Sequence, residues 1–394
     1  MTQTVLLGDI CRINPNTPLK KGSISKFVSM DKLDPFKRKI GDNEEREYRG
    51  GSKFINGDTL LARITPCLEN GKTAYVDILA DGEVGAGSTE FIVLRAIDGV
   101  TDSDYLYYLS ISPDFRNYAI QAMIGTSGRQ RVQNDVLARY AFELPDLVTQ
   151  QKVGQELRTI DEKIELNRQM NETLEQMGQA LFRHYFIDNP EAEKWEEKTL
   201  GDILDLRGGL SYKASFLSNR IVDMPMVTMG CVSGRDRINL DALKRYKGEY
   251  KDQHILNVGD IFIATRDVTQ DRVLIGSPAI IPESLGQAIC ATNLYKVVLK
   301  ENVSTEFLYQ LMRTKQYREQ IIAHAKGSTI VMLTKDSVLD YKFKIAFSSI
   351  SYTDYIQKAE KIRQLIDKNS EQIQTLTALR DTLLPRLIDG KLKI

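Results

Sequence analysis

The chain repeats itself, and nothing else in the sequence limits its possible folds as strongly. LGDI at Leu7–Ile10 recurs at Leu200–Ile203, and NGDTLLAR (Asn56–Arg63) recurs as VGDIFIATR (Val258–Arg266). GTSG from Gly125 is answered by GSTI from Gly327, and VLARYAFELP (Val136–Pro145) by VLDYKFKIAF (Val338–Phe347). From Gly57 and Gly259 onward the offset holds, since 259 − 57 and 327 − 125 are both 202. A repeat of this length implies two copies of one structural unit. With 394 residues, each copy is long enough to bury a core of its own.

Each copy ends in a long heptad pattern. Val153, Leu157, Ile160, Ile164, Asn167, Asn171, Leu174 and Leu181 follow alternating steps of four and three, with Gly178 at the one weak place. The same register gives Tyr355, Ala359, Ile362, Ile366, Asn369, Ile373, Leu376 and Leu383. Such a seam belongs to a helix that packs along its length on another helix, and the other copy supplies one of equal length. Units related by an approximate two-fold axis would pair these helices antiparallel. The 35 residues from Gln150 to His184 would then make a rod about 50 Å long. Asn167 and Asn369, at the midpoints of the two spans, are expected to face each other and fix the register of the coil.

The remaining sequence alternates short β-rich runs with one helical stretch per copy: DYLYYLSISPDFRNYAIQAMI in the first, STEFLYQLMRTKQYREQIIAHA in the second. The predicted fold class is therefore α+β: two similar domains separated by an antiparallel two-helix coiled coil in a pseudo-two-fold arrangement. The expected boundaries are 1–148 for the first domain and 149–189 for the central helix, then 190–347 for the second domain and 348–394 for the C-terminal helix. Tyr105, Tyr107 and Tyr108 could stack on bases, but helical spacing beside Leu106 and Leu109 favours the core.

Composition excludes several functions. Lys and Arg number 53 and Asp and Glu also 53, so contact with nucleic acid must come from local patches and not from a global basic field. Cys11, Cys67, Cys231 and Cys290 lie far apart, and His184, His254 and His324 form no ligand array, which suggests a reduced cytoplasmic protein without structural zinc. No apolar run approaches the ~20 residues of a membrane span. Among catalytic motifs, NGKT at Asn70–Thr73 has Pro66 where a phosphate loop needs glycine. Asp161, Glu162 and Lys163 match a loose nuclease pattern but flank seam residues, and are expected on a solvated helix face.

What survives is a set of polar loops at matching places. MIGTSGRQRVQ offers Thr126, Ser127, Arg129, Gln130 and Arg131, and AKGSTIVML offers Lys326, Ser328 and Thr329. ARITPCLENGK carries Arg63, Asn70 and Lys72, answered in ATRDVTQDR by Arg266, Gln270 and Arg272. Hydroxyls and backbone N–H groups suit phosphates, whereas Arg and Gln suit base edges. Any one of these alone reads more readily as a solvated surface loop; together they gain weight because both copies place them at corresponding positions.

With those segments in view, the sequence resembles the specificity subunits of type I restriction-modification systems, over essentially its whole length. The features that carry the resemblance are LGDI at the head of each half, GSTEFIVLR (Gly87–Arg95), GTSGRQRVQNDVLARYAFELP, IDEKIELNRQMNETLEQMGQALFRHYF (Ile160–Phe186) and LRDTLLPRLIDGKL (Leu379–Leu392). The second half departs from the first, with IVML standing where the first has GRQR. The resemblance implies two target-recognition domains that each read half of a bipartite DNA site. It implies no catalysis and no cofactor in this chain, with two methylation subunits using S-adenosylmethionine and two ATP- and Mg²⁺-dependent motor-nuclease subunits as partners. Leu181, Phe182, Phe186, Leu384 and Leu387, near the coil ends, are candidates for docking the methylation subunits, and equally for packing on the chain's own domains. A single-chain methyltransferase-nuclease and a purely structural coiled-coil scaffold are the rival readings.

Overall fold

The computed structural model describes residues 3–392 apart from Ser127, 235–236, 268–271, 301–302, 326 and 328–330. The chain divides into two compact units, Met1–Leu166 with Ile373–Ile394, and Asn167–Gln372. Each unit holds one α+β domain and part of both long helices. Among the described residues no helix is long and apolar enough to cross a membrane.

In the first unit a four-stranded antiparallel sheet runs in the order Cys11–Ile13, Phe91–Ala96, Thr59–Ala62, Thr73–Tyr75. Its inner strands read TLLA and FIVLRA because both faces are covered, which removes the polar alternation of a half-exposed sheet. One face, with Leu61, Ile92 and Leu94, packs on the helix Ser103–Ile111 and on Leu7 and Ile10 of LGDI. Val153 and Leu157 of the first long helix and Leu384, Leu387 and Ile388 of the second complete that core. The other face, with Leu60, Phe91 and Val93, packs on Val28 and Phe54 of a second sheet. That sheet runs Glu44–Glu47, Ile24–Val28, Gly85–Gly87, Ser52–Phe54, and its central pair is parallel. Tyr105, Tyr107 and Tyr108 are fully buried, as their spacing suggested.

The second unit is built the same way. Its four-stranded sheet runs Leu204–Gly208, Leu294–Leu299, Ile261–Ala264, Pro278–Ile280, again antiparallel throughout. Ile261, Ile263 and Val297 face the helix Thr305–Leu311, while Phe262, Ala264 and Leu294 face a second sheet with one parallel pair, Met224–Val227 and Ala288–Cys290. The repeated Gly-Asp of NGDT and VGDI makes a turn whose glycine has φ +89° at Gly57 and +83° at Gly259, a region that favours glycine. The following aspartate caps the turn and holds a cation from the neighbouring strand. Asp58 accepts from Ile55 N–H at 2.8 Å and from Arg95 at 2.7 and 2.6 Å, and Asp260 lies 3.1 Å from Lys296. This motif therefore fastens the frame.

The first long helix spans Leu147–Phe182 and continues through a wider turn, Arg183–Ile187; the second spans Ile350–Ile388. In the second unit the two run antiparallel: Asn167 bonds Gln372, Asn171 bonds Ser370, and Tyr185 bonds Asp354. The expected Asn167–Asn369 pair does not form. Asn167 Nδ2 donates to Gln372 Oε1 at 3.1 Å, and Asn369 Nδ2 donates to Asn171 Oδ1 at 2.9 Å. The register places the two asparagines on either side of the point where equivalent residues would meet, so each finds a polar partner about one turn away. Both remain buried in the seam. Asp161 also departs from expectation. It is buried, accepts from Tyr108 and from Arg380, each at 2.8 Å, and so ties the first helix to the domain and to the second helix within the first unit. Its neighbours Glu162 and Lys163 are exposed as predicted.

Two glycines inside the first long helix, each costing about 1 kcal/mol against alanine, mark where a domain helix approaches. A Cβ on Gly154 would lie 2.8 Å from Asp102 Oδ1 and one on Gly178 would lie 2.9 Å from Gln310 Nε2. The weak place in the heptad pattern is thus a packing requirement.

Candidate nucleic-acid interface

In the first unit, strand geometry brings the two predicted loops into one surface. The loop 63–72 leaves the central strand and the turn 124–131 follows the helix Pro113–Gln121. They are joined by backbone hydrogen bonds from Val132 N to Arg63 O and from Thr65 N to Gln130 O, both 3.0 Å. Ile124 and Arg131 close the turn with reciprocal bonds of 3.0 and 2.9 Å, and Arg129 N–H bonds Thr126 O at 3.0 Å. Residues 65 and 69 positions apart in sequence (130 − 65 and 132 − 63) thereby share one edge of the domain.

The predicted side chains are not equally available there. Asn70, Thr126 and Arg129 are exposed and Gln130 is half-buried. Arg131 is engaged with Glu90, which accepts from its Nε at 3.1 and 2.9 Å and from Nη2 at 2.6 Å. These bonds from Arg131 hold the Glu90 carboxyl below its ordinary pKa, so the pair persists as pH falls into the carboxylate range. Arg63 Nη2 donates to Val132 O at 3.0 Å and Lys72 Nζ donates to Met30 O at 2.9 Å. In this state Arg63 and Lys72 support the loops from behind. Ser127 lies outside the described residues.

In the second unit the same juxtaposition recurs. Arg266–Asp267 pairs antiparallel with Val331–Met332, and Leu333 N–H bonds Thr265 O at 2.9 Å. The loop after the central strand is longer here, thirteen residues (265–277) against ten (63–72), so the constant offset of 202 fails locally. Asp267 stabilises the extra length by accepting from the N–H groups of Leu274 at 2.6 Å and Ile275 at 3.0 Å. Arg266 and Arg272 are half-buried, and Arg272 adopts φ +50°. Beneath the loop a cleft of about 380 Å³ is lined by Arg272, Arg313, Arg318, Tyr309 and Gln179, among others. Gln270, Lys326, Ser328 and Thr329 lie outside the described residues. Glu90 and Asp267 escaped sequence reasoning because an acidic residue in a strand-end loop carries no local signal; their partners are set by strand pairing.

The candidate docking residues are not a free surface. Phe182 and Phe186 are buried in the second unit's core, where the Phe186 ring lies 5.0 Å from Phe307 and 4.9 Å from Tyr355. Leu181 packs against the same core. Leu384 and Leu387 are buried in the first unit's core. Apolar side chains at the coil ends hold the chain's own domains, because a helix end lying against a domain buries its seam there first.

Among the described residues no three His, Cys, Asp or Glu are grouped to hold a metal. The four cysteines are free thiols; burial pushes Cys11 and Cys290 up to about 12, which leaves them unreactive.

Two stretches, residues 2–176 and 192–373, each match the family model described as type I restriction modification DNA specificity domain. The MjaIX type I restriction enzyme specificity subunit of Methanocaldococcus jannaschii is 27% identical over 322 residues, covering 75% of this chain and 70% of that one. The HindI specificity subunit of Haemophilus influenzae is 35% identical over 133 residues, 34% of this chain and 28% of its own. Among solved structures, the type I restriction-modification S subunit from M. genitalium shares the fold, with a TM-score of 0.58 at 15% identity over 98% of this chain and 96% of that one. Each family match coincides with one copy of the repeat, and together they span most of the sequence: the chain belongs to the type I restriction-modification DNA specificity family, as a specificity subunit with two target-recognition domains.

Proposed function

We propose that this protein reads a bipartite DNA site, one half with each target-recognition domain, and scaffolds the subunits that modify and cut the DNA. The observation that supports this reading most directly is the repetition in both domains of one surface. In each, the loop after the central sheet strand is joined by backbone bonds to the segment after the helix pair. A rigid frame presenting variable loops is the arrangement by which a scaffold reads different sequences. Catalysis belongs to the partners: two methylation subunits using S-adenosylmethionine on a flipped adenine, and two motor-nuclease subunits using ATP and Mg²⁺. The chain itself takes no cofactor and works in the cytoplasm. With zero formal net charge, affinity for DNA rests on local contacts and on the assembled complex.

The 36 residues of the first long helix extend about 54 Å at about 1.5 Å per residue. Such a rod would let both domains reach one face of a duplex over about 15 base pairs, enough for two short half-sites and a gap. The test is selection from a random duplex library by the chain alone and with the methylation subunit. Two short fixed blocks separated by a constant gap are expected, and enrichment of a single block overturns the bipartite reading. Deleting one heptad from each long helix should shorten the gap and leave the blocks unchanged. An unaltered gap refutes the ruler.

A further inference from the structure

One arginine in each domain makes an interaction that no sequence pattern announces, and the repeat makes it twice. Arg116 is the fourth residue of the helix Pro113–Gln121, and Arg318 is the fourth residue of the helix Lys315–His324. They are related by the repeat offset, 318 − 116 = 202. Arg116 Nη2 donates to Glu69 O at 3.0 Å and to Leu68 O at 3.4 Å. Arg318 Nη2 donates to Arg272 O at 2.9 Å and Val273 O at 3.0 Å, and its Nη1 donates to Ile275 O. In both units these carbonyls belong to the last turns of the loop between the central strand and the next strand of the sheet.

A planar guanidinium has five donors in a fixed fork, so it can bridge carbonyls that face the same way and hold a loop in one shape. Neither arginine is held chiefly by a carboxylate. Burial lowers the pKa of both, which is the signature of a cation kept partly desolvated for its hydrogen bonds. The first fork is further fixed by the Phe36 ring, 4.6 Å beneath the Arg116 guanidinium. Phe36 in turn lies where a Cβ on Gly71 would fall 2.6 Å from it, which locks the end of the same loop.

We infer that Arg116 and Arg318 are positioning residues for base recognition, each fixing the loop that presents Asn70 in one domain and Arg272 in the other, so that each sets the sequence preference of its own half-site. This rests on the bipartite reading above. The loops differ in length and sequence, yet both are held from the same helical position. Recognition could thus be re-specified by changing the loop while the holding residue stays.

The experiment uses the full chain assembled with its methylation subunits and a random-sequence duplex library. The variants are Arg116→Lys, Arg318→Lys and the corresponding alanines. An ammonium keeps the charge but cannot span two carbonyls in the fork geometry. Arg116→Lys should relax discrimination about tenfold at positions in one half-site and leave the other unchanged. Arg318→Lys should give the mirror image. Hydrogen exchange should quicken at the amides of 68–72 or 272–276 in the matching variant. Unchanged preferences in the folded lysine variants overturn the inference, as does a uniform loss at both half-sites, which general destabilisation would give. Where an alanine variant does not fold, the lysine variant decides. If the unaltered complex selects no second half-site, the bipartite reading itself fails, an outcome distinct from any of these.

Discussion

The two domains differ least where one would look for stability and most where one would look for recognition. Arg38 donates to Asp104 at 2.5 Å and lies 3.6 Å over the Tyr75 ring and 5.1 Å over Tyr107. In the second domain Arg237 donates to Glu306 at 2.8 and 2.7 Å and lies 4.9 Å over Tyr309. Asp104 and Glu306, like Tyr107 and Tyr309, are separated by 202 positions. By contrast Arg131, paired with Glu90 beside the first loop, is matched in the strand pairing by Met332, which is largely exposed. The frame tolerates little change because its charges are desolvated, whereas the loop face is solvated and changes at small cost.

The largest predicted effect tests the buried part of this contrast. Arg237→Ala takes both short bonds from Glu306, which is 3% exposed and then has Arg363 only at 3.9 Å, while Glu175 keeps Arg313; it should cost about 3–5 kcal/mol. Arg38→Ala should cost less, about 2 kcal/mol, because Arg158 still donates to Asp104 at 3.0 Å. Denaturation followed by hydrogen exchange would resolve each unit separately, and equal losses would contradict the comparison. Next come the loops. Gly71→Ala and Gly276→Ala force φ of +75° and +67° on a residue with a side chain, with the new Cβ 2.6 Å from Phe36 and 2.5 Å from Ile321. Each should cost about 1–3 kcal/mol; a neutral result in thermal melting would show that the loop relaxes.

A smaller effect is expected in the coil. Asn167 and Asn369 each donate an amide bond, to Gln372 and Asn171, but Asn167 Oδ1 is buried without a partner. Asn167→Leu should therefore stabilise by about 1 kcal/mol and Asn369→Leu should not. Equal melting shifts would show that the two positions are equivalent after all. The least change in stability is expected from Glu90→Gln, which releases Arg131 at the surface. Its readout is DNA binding: the slope of log affinity against log salt should steepen by about one if Arg131 reaches a phosphate. An unchanged slope would place Arg131 away from the duplex.

Much of the frame could be read from the residues because it depends on periodicity. The seam positions from Val153 to Leu181 and from Tyr355 to Leu383 are all buried or half-buried, and the three tyrosines of the first helix lie in the core. Periodicity reports which face of an element is covered, but it does not report by what. Phe182, Phe186, Leu384 and Leu387 are apolar whether they meet a partner subunit or the chain's own domain, and only the packing shows the domain.

Sequence alone determined the duplication, the two long helices and the segments that carry the loops, since each leaves a local or periodic pattern. Tertiary structure decided which charges are free at those loops. Arg129 stays exposed, Arg131 is taken by Glu90 across 41 positions, and Arg116 and Arg318 are turned inward onto backbone carbonyls. A guanidinium has the same composition in all these roles. What separates them is the partner within about 3 Å, and that partner is supplied by strand pairing and helix packing far away in the chain.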